Sequence, residues 1–562
     1  MSIDRTASGN GTPARQVITL AYLSKHLPAA LISEQLAQSL CAETGDSVVL
    51  VRPQLCEGPP AYNGAQYGDA TVVDWAPSEL VFQGQFGAPA NLRKTDAGFH
   101  LLTLSVRKEP APAQSIATVV GQLTRHFCYV LVEALAEETP DPSLLELWLR
   151  SDLTYLFHQA ATEDIYRLDL VMREIRKRPG ADGKRIKPIL CLTDGESING
   201  FDALAQRVAA PAHLFIHGCP KLAGANPDAT PIAAAGSFLP DIRRLAREVS
   251  GRLVGLALSS GAAKGFAHIG VIQVLEENRI EVDVIAGASI GAYIGALWAH
   301  GHDGTKLERL ARELEGRWAL WTLIDPVFPP RQGFLRGLAL KRRLQRSIGN
   351  AHFADLIRPL RIVAGNLATL ERTVFSSGEV ATAVHASMAV PGLCVPVSID
   401  GEPYIDGGIV DPVPVEVLRE MGVGRVIAVN AIPTPDRLRY CQQAERELAR
   451  QNASRGRKWF RKVLPLDKQL NYFARGNLFE ILVRSVHGAQ VRVAEAAGHR
   501  ADLVLRPDTY DDRWLDVRNP GRFIAMGRAV AERNLEEIKA LASGKSTNHE
   551  QQRAPEPVAA VA

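Results

Sequence analysis

Val282-Asp283-Val284-Ile285-Ala286-Gly287-Ala288-Ser289-Ile290-Gly291-Ala292-Tyr293-Ile294-Gly295-Ala296-Leu297-Trp298 decides how this chain folds. The β-branched run Val282 to Ala286 predicts a buried strand, and the apolar residues from Ala292 predict the opening of a helix. Between them stands a small-x-Ser-x-small turn, Gly287-Ala288-Ser289-Ile290-Gly291. In a strand-to-helix setting such a turn is a nucleophile elbow. It lifts the serine hydroxyl off the sheet, and the flanking glycines leave room for close backbone packing. The helix that follows aims its N-terminal N–H groups at developing negative charge. Taken alone the pattern is common by chance, so the strand and helix around it are what make Ser289 a candidate nucleophile.

An activated serine needs donors for an oxyanion and a base for its proton. Upstream, the strand-like Leu253 to Leu258 leads into Ser259-Ser260-Gly261-Ala262-Ala263-Lys264-Gly265-Phe266, and a helix is predicted from near Ala267. A turn of small residues at that junction exposes successive N–H groups, which suits an anion as well as an ordinary βα connection. It matches neither the GxxxxGK[ST] phosphate loop nor the GxGxxG dinucleotide fingerprint. Downstream, Ile399 to Gly408 predicts a hairpin turn and a strand ending at a carboxylate, Asp406, with Gly407 and Gly408 to turn the chain.

These three pieces together resemble the patatin-like phospholipases. That family carries a GGGx[RK]G oxyanion loop, a GxSxG elbow and a DG[GA] motif bearing the second member of a Ser–Asp dyad. Here the loop falls on Ser260, Gly261, Ala262, Ala263, Lys264 and Gly265, the elbow on Gly287, Ala288, Ser289, Ile290 and Gly291, and the dyad aspartate on Asp406, followed by Gly407 and Gly408. Ala386-Ser387-Met388-Ala389-Val390-Pro391-Gly392 matches the family's AS-x-A-x-PG run, and Arg361 to Asn366 and Thr373 to Gly378 look like its central strand and hairpin. The resemblance runs from about Ser250 to Asp508 and implies a three-layer α/β/α hydrolase domain without cofactor or metal. It implies that Asp406 takes the proton of Ser289, that N–H groups from Ser260 to Ala263 hold the oxyanion, and that phospholipid or lysophospholipid acyl esters are the substrates. A carboxylate base without histidine needs a partly desolvated site, for which Leu393, Val395 and Val397 are candidates.

Two departures stand out. Ser260 and Ala262 replace the outer glycines of GGG, and a positive φ at Ala262 would carry a strained Cβ and weaken the oxyanion site. A catalytically weak docking or regulatory relative is therefore one alternative. Another is an α/β-hydrolase triad using His487 or His499, both of which follow Asp406; neither sits in a clear loop after a late strand.

With 562 residues the chain is long enough for two or three domains. A net charge of +3 gives no global reason to bind nucleic acid. Seven cysteines without CxxC or metal-ligand spacing fit reduced thiols, and the polar Met1 to Arg15 lacks the apolar core of a signal peptide. The expected setting is cytoplasmic, with peripheral contact at the inner membrane face.

Residues 1–14 and 546–562 are polar tails by composition. Residues 15–249 alternate strand-like runs (Gln16 to Ala21, Ser47 to Val51, Phe127 to Val132, Pro188 to Leu192, His213 to His217) with helical ones, which predicts a doubly wound, mostly parallel sheet. Its start resembles the MinD-type P-loop ATPases, but Tyr22-Leu23-Ser24-Lys25-His26-Leu27-Pro28 has no glycine to wrap a phosphate, so no nucleotide is expected. A similar degenerate segment precedes the hydrolase domain in the neuropathy-target-esterase-like branch of the patatin family; the cyclic-nucleotide-binding domains common in that branch are not expected here. The hydrolase domain is placed at 250–515, followed by a C-terminal helix within 516–545. Within it, 436–468 is rich in arginine and lysine around Trp459 and Phe460, which suits an anionic membrane surface as well as a solvated helical face.

Overall fold

A computed structural model of the chain describes residues 15–56, 93–107, 112–135, 142–178, 185–193, 212–220, 237–315, 322–433, 488, 490–508 and 519–544. Two compact units divide it, Met1–Ser250 and Gly251–Ala562. The tails, the basic segment 436–468 and His487 fall outside the described residues.

In the first unit the aliphatic run of β1 (Gln16–Tyr22) is buried from Ile18 onward, as a strand covered on both faces must be. It is followed by α1 (Ala29–Thr44), β2 (Val48–Cys56), β3 (Arg93–Lys94), β4 (His100–Arg107), α2 (Pro112–Leu123), β5 (Tyr129–Leu135), α3 (Pro142–Arg150), β6 (Leu153–His158), α4 (Thr162–Arg176), β7 (Ile186–Cys191), β8 (Leu214–Ile216) and α5 (Phe238–Val249). The sheet runs β3-β4-β2-β5-β1-β6-β7-β8, parallel except at β3. Sequence reading had not marked β4 or the edge strand β3. The loop after β1 is braced by its own unit: Ser24 Oγ donates to Gln159 Oε1 at 3.0 Å and Arg167 donates to the Leu23 carbonyl at 3.0 Å.

The second unit begins with β9 (Val254–Leu258) and α6 (Ala267–Glu277), joined by the 3-10 turn Ala262–Phe266. Then come β10 (Val284–Ala288), α7 (Ile290–Ala299), α8 (Gly304–Arg312), α9 (Leu338–Ile348), β11 (Leu360–Asn366), β12 (Arg372–Phe375), α10 (Val380–Ser387), β13 (Val397–Ile399), β14 (Glu402–Asp406), α11 (Val415–Glu420), β15 (Arg425–Val429), β16 (Leu503–Leu505), α12 (Pro520–Arg533) and α13 (Leu535–Ser543). The sheet order is β13-β14-β11-β10-β9-β15-β16, with β12 also on β11. The five strands from β11 to β16 are mutually parallel, while β12, β13 and β14 are antiparallel additions. Asp283 clamps the start of two central strands, accepting the Val254 N–H at 2.7 Å on its carboxylate while its own N–H donates to the Val254 carbonyl.

Both faces of this sheet are covered. Val254, Leu256 and Leu258 join a core with the residues of α6, α7 and α12. The intervening Gly255 faces the other way, where a Cβ would stand 2.9 Å from Leu418 of α11. The architecture is three-layer α/β/α, as expected. One expectation is corrected: the C-terminal helix is two helices, because the chain breaks at Asn534 between α12 and α13.

The packing of α12 on α6 is set by two glycines. A Cβ at Gly527 would lie 1.9 Å from the Ala267 carbonyl oxygen, and one at Gly270 would lie 2.0 Å from that of Ile524. The backbones touch, so no rotamer change can make room. Gly527→Ala is expected to lower stability by roughly 1–3 kcal/mol in denaturant unfolding. An unchanged midpoint would contradict this packing.

Candidate active site

Ser289 sits between the last residue of β10 and the first of α7 with φ 53° and ψ −120°. A non-glycine residue there carries roughly 1–3 kcal/mol of strain and persists only where its surroundings over-determine it. Those surroundings are tight. A Cβ at Gly291 would lie 2.2 Å from the Leu258 carbonyl oxygen, and one at Gly287 would lie 2.6 Å from the Ala292 amide nitrogen. Ala288 is fully buried, and Ile290 packs over Gly265 of the neighbouring loop.

The elbow is also pinned by a side chain that sequence reading had quoted only as part of a motif. Ser387, at the end of α10, accepts the Ser289 N–H on Oγ at 2.8 Å and donates to the Val363 carbonyl at 2.5 Å. Two residues on, the Ala389 carbonyl accepts the Asp406 N–H at 2.9 Å. The Ala386-to-Gly392 run thus holds the main chains of both candidate catalytic residues.

Asp406 ends β14 opposite Ala364 of β11, the strand beside β10. Ser289 Oγ donates to Asp406 Oδ2 at 2.7 Å across 117 sequence positions, and the Gly408 N–H donates to Oδ1 at 2.7 Å. Gly407 makes the turn possible, since a Cβ there would lie 2.0 Å from the Val363 carbonyl oxygen. Asp406 is only 2% exposed. Burial pushes its carboxyl up to about 6, against the hydrogen bonds from Ser289 and Gly408 that favour the anion. Cys394 lies close enough for the Asp406 charge to add to the burial that raises its thiol to about 12. Of the three candidate lining residues, Val397 is buried and packs with Cys394 and Ala389, with Leu393 against that cluster; Val395 is held by the Leu335 carbonyl.

The loop after β9 is fixed by buried polar contacts. Ser259 Oγ donates to the Ser260 carbonyl at 2.8 Å and accepts the Ala431 N–H at 2.9 Å. His268 Nε2 donates to the Ser259 carbonyl at 2.8 Å, and burial lowers this imidazole to about 4, so it is neutral and structural. Gly261 has φ 154° and Ala262 φ 49°. The left-handed backbone feared at Ala262 is therefore adopted with its Cβ in place. One expectation needs correction: the Ser260 N–H donates to the Pro412 carbonyl at 2.9 Å, so that amide is committed elsewhere. The amides of Gly261, Ala262 and Ala263 have no acceptor among the described residues. Lys264 is buried, which makes it part of the loop's interior rather than a solvent-facing charge.

Histidine has no place between the two side chains, because they bond directly. His499 is exposed on the stretch after the residues 490–498, and His487 lies outside the described residues. No group of three or more potential metal-ligating side chains occurs among the described residues.

A hydroxyl on a strand-to-helix elbow, bonded to a buried carboxylate beside a turn of small residues, defines an α/β domain organised for nucleophilic chemistry. The patatin-like phospholipase family model matches residues 256–419 of this chain. Among curated relatives, Lysophospholipase nte1 of Aspergillus fumigatus is 35% identical over 203 residues, covering 36% of this chain and 13% of that protein. Lysophospholipase NTE1 of Cryptococcus neoformans var. neoformans serotype D is 30% identical over 245 residues, covering 43% of this chain and 15% of its own length. The chain thus spans less than a sixth of either relative. Among solved structures, MinD cell division protein of Aquifex aeolicus aligns with 42% of this chain and 97% of its own at a TM-score of 0.31 and 16% identity. The type III effector protein ExoU aligns with 51% and 53% at a TM-score of 0.25.

Ser387→Ala leaves the Ser289 N–H and the Val363 carbonyl buried without partners, each omission costing about 1–3 kcal/mol. The variant is expected to unfold at lower temperature and, well below its unfolding transition, to be labelled at Ser289 by a fluorophosphonate more slowly than the native chain. Wild-type stability and labelling rate together would contradict the role given to Ser387.

Proposed function

We propose that this chain is a serine lipid hydrolase that cleaves acyl esters of phospholipids or lysophospholipids, with Ser289 as nucleophile and Asp406 as base. The observation that carries the reading is the 2.7 Å hydrogen bond between Ser289 Oγ and Asp406 Oδ2 on a strained elbow. The names of the relatives supply the substrate class.

Ser289 Oγ attacks the ester carbonyl carbon as its proton passes to Asp406. The carbonyl oxygen becomes an oxyanion facing the amides of Gly261 and Ala262, with the first-turn N–H groups of α7 adding their dipoles. Collapse breaks the bond to the alcohol, which takes the proton from Asp406 and leaves an acyl-Ser289. Water then attacks the acyl carbon, giving a proton to Asp406; collapse breaks the bond to Ser289 Oγ, which takes that proton back, and the fatty acid departs. A buried carboxyl near 6 suits this shuttle better than an ordinary aspartate, because a base works best when its proton affinity lies near the operating pH.

The catalytically weak alternative rests on a strained Cβ at Ala262 under a positive φ, and the φ of 49° meets that condition, so covalent labelling of Ser289 by a fluorophosphonate is what separates the two readings. Peripheral contact with anionic membrane is assigned to 436–468 on its composition. No helix among the described residues is long and apolar enough to cross a membrane. Deleting 454–464 is expected to weaken binding to anionic vesicles more than hydrolysis of a short soluble ester, and equal losses would count against that contact.

The sign of the pH dependence follows from Asp406. The base must be ionised, so kcat/KM should rise with pH through about 6 and level off above it. Asp406→Asn should lower kcat by roughly a thousandfold or more, while His499→Ala should leave it unaltered. A profile flat on both sides of that pH, or a His499 variant that folds but is inactive, would count against the dyad.

A further inference from the structure

Asn430 follows β15 at the carboxyl edge of the sheet, the edge that carries Ser289 on β10. Its Oδ1 accepts the Ile432 N–H at 3.0 Å, which fixes the amide with Nδ2 on the other side. Asn430 is 2% exposed, and Nδ2 has no acceptor among the described residues. A buried amide donor left unpaired costs about 1–3 kcal/mol, so something is expected to fill its place.

Asn430 lines a cavity of about 430 Å³, whose walls include Ile432, Val504, Arg506, Asp508 and Arg533. That volume falls within the roughly 300–1,000 Å³ of small-molecule sites. Asp508 is tied to Arg533 at 3.1 Å, whereas Arg506 makes no ion pair among the described residues. Among the described residues the wall thus holds one guanidinium without an ion pair, with the unpaired amide of Asn430 buried beside it, groups that suit an oxygen-rich anion. Ala431, between the lining residues Asn430 and Ile432, touches the proposed oxyanion loop. Ala431 donates its N–H to Ser259 Oγ, and a Cβ on Gly261 would lie 3.3 Å from Ala431 Cβ.

We propose that this cavity binds the phosphate of the substrate, with Arg506 and Asn430 Nδ2 donating to its oxygens while the acyl ester lies against Ser289. The proposal rests on the lipid-hydrolase reading and narrows it to esters that carry a phosphodiester on the same glycerol.

Calorimetric titration separates the two. The full-length Ser289→Ala protein, which cannot form an acyl-enzyme, is titrated with glycerophosphocholine and, separately, with inorganic phosphate. Arg506→Gln and Asn430→Asp, added singly, keep the Ile432 contact and remove one donor each. Glycerophosphocholine binding should weaken about tenfold in either variant, the size expected for losing one hydrogen bond to a charged group. In the Ser289-containing protein, each substitution should lower the kcat/KM ratio of a lysophospholipid to an uncharged short-chain ester by a similar factor. Binding of inorganic phosphate without glycerophosphocholine would overturn the headgroup assignment, as would affinities untouched by both substitutions. A wild-type protein that cleaves no lysophospholipid, yet shows the expected loss of glycerophosphocholine binding, would sink the lipid-hydrolase reading and leave the phosphate site standing.

Discussion

The hydrogen bond from Ser289 Oγ to Asp406 Oδ2 is the constraint around which the second unit is arranged. Removing a carboxylate from water is unfavourable, and among the described residues two donors, Ser289 and the Gly408 amide, compensate it. Folding raises the Asp406 carboxyl to about 6 from its ordinary 3.8, roughly two units, or on the order of 3 kcal/mol. The sign is unfavourable to the ionised protein. The stability that protonated Asp406 contributes is complete below its unfolded value and is lost as pH rises through about 6. The domain is therefore least helped by this residue in the pH range where the proposed base is charged. The surrounding aliphatic core and the glycine-mediated contacts of α6 with α12 offset that cost.

The polar groups around the dyad are committed to the backbone. Ser387 bridges the elbow amide and the Val363 carbonyl, and the Ala389 carbonyl takes the Asp406 amide. Ser259 and neutral His268 hold the loop where Ala262 bends with positive φ. Such a framework holds the proposed nucleophile and base in place before any substrate arrives, and a site so fixed lowers a barrier without reorganising during the reaction. It also explains why a loop with Ser260 and Ala262 in place of glycine can keep its shape. Ser260 gives its amide to Pro412, and the strain at Ala262 is absorbed by neighbours that cannot move independently.

Much of this was legible in the chain itself, for reasons that differ from residue to residue. The elbow was visible because strand, small-residue turn and helix each leave a local pattern around Ser289. Asp406 was visible only through its DGG motif and the resemblance, since nothing local tells which of many Asp-Gly turns meets a serine 117 positions away. Ser387, the commitment of the Ser260 amide and the orphan amide of Asn430 were not legible, because each depends on pairings between distant segments. The break at Asn534 escaped for the opposite reason: the apolar period continues through it, and only the backbone changes direction. In the first unit the missing glycine after β1 was read correctly as a sequence fact, and the loop is braced by Gln159 and Arg167, residues well over a hundred positions downstream.

A dyad and a neighbouring anion cavity on one sheet edge would let a single surface recognise both ends of a phospholipid's glycerol. The central claim is narrower: Ser289 is activated by Asp406 and by no histidine. Peptide mapping of protein labelled with a fluorophosphonate tests it most directly. The account predicts one adduct, on Ser289, formed far more slowly in Asp406→Asn and at the wild-type rate in His499→Ala. An adduct on another residue, or labelling of Ser289 that ignores the loss of Asp406, would contradict it.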